Sequence, residues 1–253
     1  MAGTWRWTVA IATLVAITGG ARVADAGRTH YGWVRGTEVL PERSVEIETW
    51  VLERNGLGDG DAADPPDETV AWWWTVVGIT DQLELAIPIA VRHQDDDASG
   101  QTALLGYGAE LRWRLVSSDP VEGGRIAPVV RLGVQRLVNQ RDRVRSDGGI
   151  AVGADLGSRI HAAVDVGGIW IAGDGRSTFQ IAPAAGLSVR IVDELRVGAE
   201  VYAEAALRGP GPDWLAAGPN LAWTYGRFWL SASLPIGIID ASTAPRLNWA
   251  VAF

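Results

Sequence analysis

The amino-acid sequence predicts an all-β protein, a transmembrane up-and-down antiparallel β-barrel of about twelve strands. Apolar side chains alternate with polar or small ones along most of the chain, and a period of two residues is that of a β-strand. Segments of helical period do not separate the repeats. Tight turns alternate with longer polar loops, which is typical of a membrane barrel with short turns at one end.

A hairpin in residues 76–92 shows the pattern most clearly. Its turn is Thr80-Asp81-Gln82, and the strand that follows has a branched apolar face and a small or charged face. The apolar face consists of Leu83, Leu85, Ile87, Ile89 and Val91. In a membrane barrel this face contacts lipid, while Glu84 on the other face points into the lumen.

The same pattern predicts every other strand in order. The longest alternation lies at residues 195–207, and a basic loop carrying Arg141, Arg143 and Arg145 is expected at 139–148. Loops are expected at 55–67, which is rich in Gly, Asp and Pro, at 94–100, which is polar, and at 209–213. The predicted strands are 44–54, 68–79, 83–92, 103–115, 125–138, 150–156, 160–171, 179–192, 195–207, 214–224, 228–238 and 245–253.

Two observations favour a membrane barrel over a soluble secreted β-sandwich. The face opposite the apolar one is enriched in Gly and Ala with isolated charges, as a confined polar lumen requires. Aromatic residues fall near predicted strand ends, where amphipathic rings meet lipid headgroups. Those expected near the short turns are Trp113, Trp223, Tyr225 and Phe228, and those expected near the long loops are Trp72, Trp73, Trp74, Trp170 and Trp214.

Three regions are predicted along the chain. Residues 1–26 contain Arg6, an apolar run and an Ala24-Asp25-Ala26 site, as a secretory signal peptide cleaved after Ala26 requires. Residues 27–43 have no clean period and are expected to form a periplasmic N-terminal extension, folding partly into the lumen. Residues 44–253 form the predicted barrel.

The last strand and two shorter segments carry a resemblance to a known class of proteins. Apolar residues stand at alternate positions up to the end of the chain, at Trp249, Val251 and Phe253. This pattern resembles the C-terminal signature that the barrel-assembly machinery recognises in outer-membrane barrels. Residues 78–85, GITDQLEL, and 32–41, GWVRGTEVLP, look like segments of uncharacterised Gram-negative outer-membrane β-barrel proteins of porin or transporter type. The resemblance implies the fold and an outer-membrane location, and carries over no functional residues.

Charged and polar residues on the inward faces are the candidate functional residues. They form either an internal ion-pair network that partly plugs the barrel or the selective lining of a narrow channel. The predicted lumen residues are Glu46, Glu48, Glu84, Glu110, Arg112, Arg114, Arg131, Asp155, His161, Asp165, Arg190, Arg196, Glu200 and Glu204.

The sequence favours a narrow pore or transporter-like channel for small polar solutes. A plugged barrel with a structural or surface role is the alternative, and a soluble β-sandwich or a barrel enzyme is less favoured. His161 and Asp165 lie about 13 Å apart along one strand, too far for a catalytic hydrogen bond. No metal or cofactor motif is recognised, and the expected partners are outer-membrane lipid, lipopolysaccharide and the assembly machinery. The net charge of -8 argues against nucleic acid.

Overall fold

The computed structural model describes residues 29–54, 68–94, 101–116, 126–138, 140, 142–173, 175–211, 213–240 and 243–253. The predicted signal peptide at 1–26 lies outside these residues. The described strands are β1 (Val45–Arg54), β2 (Glu68–Thr80), β3 (Leu83–Gln94), β4 (Gln101–Arg114), β5 (Ile126–Leu137), β6 (Arg143–Leu156), β7 (Ile160–Gly173), β8 (Arg176–Val192), β9 (Leu195–Arg208), β10 (Trp214–Tyr225), β11 (Phe228–Ser233), β12 (Ile236–Ile239) and β13 (Arg246–Ala252).

The strands form one closed antiparallel sheet. Consecutive strands pair with each other from β1 to β10, while β13 pairs with both β1 and β11. The segments β11 and β12 are two parts of one wall strand, since both pair with β10. Pro235 lies between them and cannot donate a ladder hydrogen bond. The result is an up-and-down barrel with twelve strand positions, which confirms the predicted fold class.

The two ends of the barrel differ in their connections. We call the end with the tight β2–β3, β6–β7, β8–β9 and β10–β11 connections the turn end, and the opposite end the loop end. Gly157 and Gly226 lie in two of the tight turns with φ of 82° and 59°, a conformation that glycine adopts without steric cost. No helix in the described part of the chain has the length and apolarity needed to span a membrane.

The side chains alternate between the two faces of the wall as predicted. Outward positions carry large apolar residues, among them Ile87, Leu132 and Val164, which are 45%, 66% and 52% exposed. Inward positions on the same strands are buried, for example Glu84 and Asp165. The barrel therefore has an apolar exterior and a charged interior, the opposite of a soluble β-barrel.

Two details differ from the sequence prediction. The predicted basic loop at 139–148 is largely the first half of β6, which begins at Arg143. Arg145 contributes to this strand from a part-buried position, with its Nε 3.9 Å from the buried Asp147 carboxylate. The second difference concerns the aromatic residues, because Trp74 and Trp214 are each only 2% exposed and face the lumen rather than the outer surface.

Candidate functional site

The lumen contains most of the residues that the sequence assigns to it. Arg112 and Arg114 are half-buried, whereas Asp155 and Arg190 lie near the turn end and are exposed. The remaining predicted lumen residues are buried, namely Glu46, Glu48, Glu84, Glu110, Arg131, His161, Asp165, Arg196, Glu200 and Glu204.

Ion pairs link side chains along the inner wall, both within one strand and between strands. Arg112 on β4 donates from Nη1 to Glu84 on β3 at 3.0 Å and from Nε to Glu110 at 2.7 Å. Arg131 on β5 donates from Nη2 to both carboxylate oxygens of Asp165 on β7, at 2.8 and 2.9 Å. Buried charges in proteins are usually paired and hydrogen-bonded in this way.

A segment that precedes the first strand occupies the lumen. Residues 29–41, which we call the N-terminal segment, include Tyr31, Val34 and Leu40, which are 1%, 2% and 1% exposed. The segment leaves the lumen at the turn end, where Arg43 donates its N–H to the Gly78 carbonyl at 3.0 Å. Gly78 is required at this place, since a Cβ there would collide with the carbonyl oxygens of Leu40 and Pro41.

One carboxylate holds the middle of the N-terminal segment. Glu200, near the middle of β9, accepts three consecutive backbone N–H groups, from Gly32 at 3.0 Å, Trp33 at 2.8 Å and Val34 at 3.0 Å. Hydrogen bonds to an ionised acceptor are stronger than neutral ones. Glu84 acts in the same way near the turn end, where it accepts the Leu40 N–H.

Neutral side chains of the last wall strands bind the carbonyl groups of the same segment. Asn220 on β10 donates to the His30 carbonyl at 2.6 Å, and Asn248 on β13 donates to the Gly32 carbonyl at 3.0 Å. Ser231 on β11 donates to the Tyr31 carbonyl at 3.0 Å. Wall side chains thus bind the backbone of the segment as they would bind a peptide ligand.

Aromatic and guanidinium groups fill the lumen around the segment. Trp33 donates from Nε1 to the Ala244 carbonyl at 2.9 Å. The Arg246 guanidinium lies 4.9 Å from the Trp33 ring centroid and 4.5 Å from that of Trp50. Arg35 stands 4.3 Å from the same Trp50 centroid, and burial lowers the pKa of Arg35. The small Gly and Ala side chains of the wall leave the room that these large groups occupy.

The space left around the segment is small. One cavity of about 40 Å³ is lined by residues that include Gly36, Glu38 and Glu48, and another of about 70 Å³ by residues that include Arg131 and Asp147. Because a cavity of about 10–15 Å³ holds one water molecule, each of these two cavities has room for only a few waters.

A second group of residues comes together at the turn half of the lumen. His30 and Glu38 of the N-terminal segment lie beside His161, the second residue of β7. Tyr31 joins them, with its hydroxyl 3.0 Å from Nδ1 of His161. Burial raises the pKa of the Glu38 carboxyl to about 7 and that of the Tyr31 hydroxyl well above its ordinary value. His161 contacts Tyr31, whereas Asp165 is bound by Arg131, so the two do not form a catalytic pair.

Sequence reasoning did not identify several of these residues. Arg246, Asn220, Ser231 and Asn248 occupy the inward positions of β10, β11 and β13, and strand periodicity alone would have placed them in the lumen. Arg35 and Glu38 lie in a segment without a period, so the sequence carries no signal for their position.

Comparison with solved structures finds the same fold in outer-membrane proteins. An outer membrane channel from Pseudomonas putida F1 superposes with a TM-score of 0.61 at 12% identity, covering 86% of this chain and 98% of that one. The NanC porin gives 0.56 at 7% identity, with 81% and 98% covered. The translocator domain of the autotransporter NalP from Neisseria meningitidis gives 0.54 at 11% identity, with 83% and 88% covered.

These likenesses establish the fold. No protein-family model matches the sequence, and no curated protein matches it either. The resemblance to Gram-negative outer-membrane β-barrels that the sequence indicates is confirmed at the level of the fold, since the similar structures are those of a channel, a porin and a translocator domain.

Proposed function

We propose that this protein is an outer-membrane channel for small polar solutes and that its own N-terminal segment closes the channel. The observation that carries the proposal is a charged lumen filled by a segment that wall side chains hold. The predicted lumen residues then have two roles. They form an ion-pair network in the closed state and line the pore in the open state.

The way the segment is held supports its displacement as a unit. Its described hydrogen bonds to Glu200, Glu84, Asn220, Ser231 and Asn248 each join a segment backbone group to a wall side chain. Such bonds contribute about 1 kcal/mol each, or about 2 kcal/mol where one partner is charged. The ladder that holds the barrel together is separate, so the segment can leave the lumen while the wall remains folded.

The orientation follows the same proposal. The turn end faces the periplasm and the loop end faces outward, as in outer-membrane barrels with short periplasmic turns. The N-terminal segment then enters from the periplasm, the apolar outer face contacts lipid, and the loops lie near lipopolysaccharide. Trp249, Val251 and Phe253 on the last strand are the proposed recognition signal for the barrel-assembly machinery.

A disulfide between segment and wall tests the channel proposal. A Cβ built at Gly153 on β6 lies 2.6 Å from Oγ1 and 3.2 Å from Cγ2 of Thr37, so cysteines at 37 and 153 are within reach of a disulfide, whose Cβ atoms stand about 3.5–4.5 Å apart. In planar bilayers we expect Thr37→Cys/Gly153→Cys to stay closed when oxidised and to show current steps after reduction.

The two single-cysteine variants are the controls, since the natural chain contains no cysteine and neither variant alone forms an intramolecular bond. Gly153→Cys alone also shows how far its added side chain, 2.6 Å from Thr37 Oγ1, displaces the segment. Equal currents before and after reduction would contradict gating by the segment. Absence of current in both states, with a folded barrel, would favour the plugged structural role, which the small cavities around the segment support.

Contact of the outer face with lipid gives a separate prediction. Leu132 points outward from the middle of β5, and Leu132→Arg is expected to destabilise the barrel in lipid vesicles by about 2–4 kcal/mol. Leu156→Arg, at the turn end of β6, is the control, with an expected cost of about 0–1 kcal/mol at the interface. Urea unfolding of the vesicle-bound protein measures both. Little cost for either variant would indicate that water covers this face.

A further inference from the structure

Two imidazoles and one carboxylate meet where the N-terminal segment contacts the wall. His30, Glu38 and His161 each offer one ligand atom, and the three atoms all lie within 4.8 Å of one another. The rings of His30 and His161 are nearly perpendicular, with centroids 4.7 Å apart. We propose that these three residues bind a zinc-like transition-metal ion, and that the ion fastens the N-terminal segment to the barrel wall.

The donor set indicates the class of metal. Imidazole nitrogen suits zinc, copper, nickel and iron, whereas calcium and magnesium prefer an all-oxygen shell. Two histidines and one carboxylate with an open fourth position form a known zinc ligand set. Ligand atoms in a tetrahedral site with bonds of about 2.0 Å stand about 3.3 Å apart, so small side-chain rotations bring these three atoms to a common ion.

The surroundings of His161 orient its ring for this role. The Tyr31 hydroxyl lies 3.0 Å from Nδ1 and also 3.0 Å from the His161 carbonyl. With the proton on Nδ1, that nitrogen donates to the hydroxyl, and the hydroxyl donates to the carbonyl. This leaves the Nε2 lone pair for a metal, and a hydrogen bond at the other ring nitrogen is the usual second-shell arrangement of a metal-binding histidine.

A glycine on the neighbouring strand allows Thr37 of the N-terminal segment and His161 of the wall to lie close together. A Cβ built at Gly153, on the strand that pairs with β7, lies only 3.0 Å from Nε2 of His161. A side chain at this position would collide with Thr37 Oγ1, 2.6 Å from the built Cβ, and would crowd Nε2. Gly36 has a similar relation to Glu38, since a Cβ there would collide with the carboxylate oxygen Oε2. Both ligands thus lie against positions where the chain has no side chain.

The proposed ion would bridge the N-terminal segment and the barrel wall, and this determines what its binding does. His30 and Glu38 belong to the N-terminal segment, whereas His161 belongs to β7 of the wall. An ion bound to all three therefore stabilises the state in which the segment occupies the lumen, because binding to one state shifts the equilibrium toward it. This consequence for gating rests on the proposed channel function, but the metal site itself does not.

Titration of the folded full-length protein in detergent with Co²⁺, followed by the visible absorption of the bound ion, tests the site. We expect one ion per chain, displaced by Zn²⁺. His30→Asn and His161→Asn should each weaken binding by at least about 10-fold, the lower end of what even an indirect partner of a metal contributes. His93→Asn is the matched control, because His93 is the remaining one of three histidines and is exposed near the loop end, 2.9 Å from Thr102.

Binding that survives both His30→Asn and His161→Asn, or that His93→Asn removes, would overturn the proposal. Glu38→Gln gives an independent check if a histidine variant fails to fold, since it keeps both imidazoles and should still weaken binding. Heat-modified gel mobility reports folding for every variant. Since the titration needs no current, a protein that binds Co²⁺ but never conducts would retain the metal site and lose the channel. If the disulfide controls the current but Co²⁺ does not bind, the channel proposal is retained and the metal site is lost.

Discussion

Glu200→Gln is expected to release the N-terminal segment from the lumen. The carboxylate accepts the N–H groups of Gly32, Trp33 and Val34. An amide in its place is neutral, and its NH₂ group directs hydrogen-bond donors at these N–H donors. An unsatisfied buried group costs about 1–3 kcal/mol, more where a charged partner is lost. We therefore expect the docked state to lose about 3 kcal/mol, which raises the displaced population about 100-fold.

The rate of maleimide labelling at Val34→Cys measures this population, since Val34 is only 2% exposed when docked. Glu204→Gln is the control, because Glu204 lies on the same face of β9 and accepts a hydrogen bond from Tyr202 at 2.7 Å instead of from the segment. We expect labelling to accelerate about 100-fold with Glu200→Gln and little with Glu204→Gln. Equal rates in all three backgrounds would mean that this carboxylate does not hold the segment.

The strands of the wall could be predicted from the sequence, because the alternation of residues in each strand shows which side chains face inward. The alternation from Leu195 to Leu207 determines which side chains face inward, and Glu200 and Glu204 were assigned to the lumen on that basis alone. The same period would have assigned Asn220, Ser231 and Asn248, but their small polar side chains are not striking in a sequence. The break at Pro235, the early start of β6 at Arg143 and register shifts such as that between Ala90 and Val91 interrupt this local correspondence.

The individual contacts of the N-terminal segment could not be predicted, because they are not local. Tyr31 meets His161 from 130 residues away, and Trp33 meets Glu200 from 167 residues away. These contacts exist only once the barrel has closed. The tryptophans illustrate the same limit, since an aromatic residue near a strand end fits an outer girdle in sequence. The strand period places Trp74 and Trp214 on the inward face, but their burial against Leu40 and Trp33 of the segment depends on contacts that are not local.

Arg112→Met is expected to destabilise the barrel by about 3–5 kcal/mol, the usual cost of removing one partner from a buried charge cluster. Arg112 compensates two carboxylates at once, Glu84 at 3.0 Å and Glu110 at 2.7 Å, which are 2% and 1% exposed. Without it both charges remain buried. Urea unfolding in lipid vesicles measures the loss.

Arg114→Met is the matched control for this variant. Arg114 lies two residues further along β4, and its Nη2 donates to the Asp81 carbonyl at 2.7 Å in the exposed turn. Arg114 is half-buried, but this bond joins it to a neutral carbonyl and not to a buried carboxylate, so its loss should cost less than that of Arg112, about 1–2 kcal/mol. Equal losses for the two variants would contradict the assignment of Arg112 to the buried network.

Addition of Glu110→Gln to Arg112→Met tests whether the loss comes from stranded charge or from packing. Removal of a buried carboxylate is itself costly while Arg112 is present, because it breaks a pair at 2.7 Å. Once Arg112 is absent, the same change removes a buried carboxylate that has lost its hydrogen-bonded partner, so the double variant should be more stable than Arg112→Met alone. We expect a coupling free energy of about 1–3 kcal/mol, as for residues in one buried network. Additive losses would instead indicate that Arg112 stabilises the barrel through packing against Trp74, whose ring centroid lies 5.9 Å from the guanidinium.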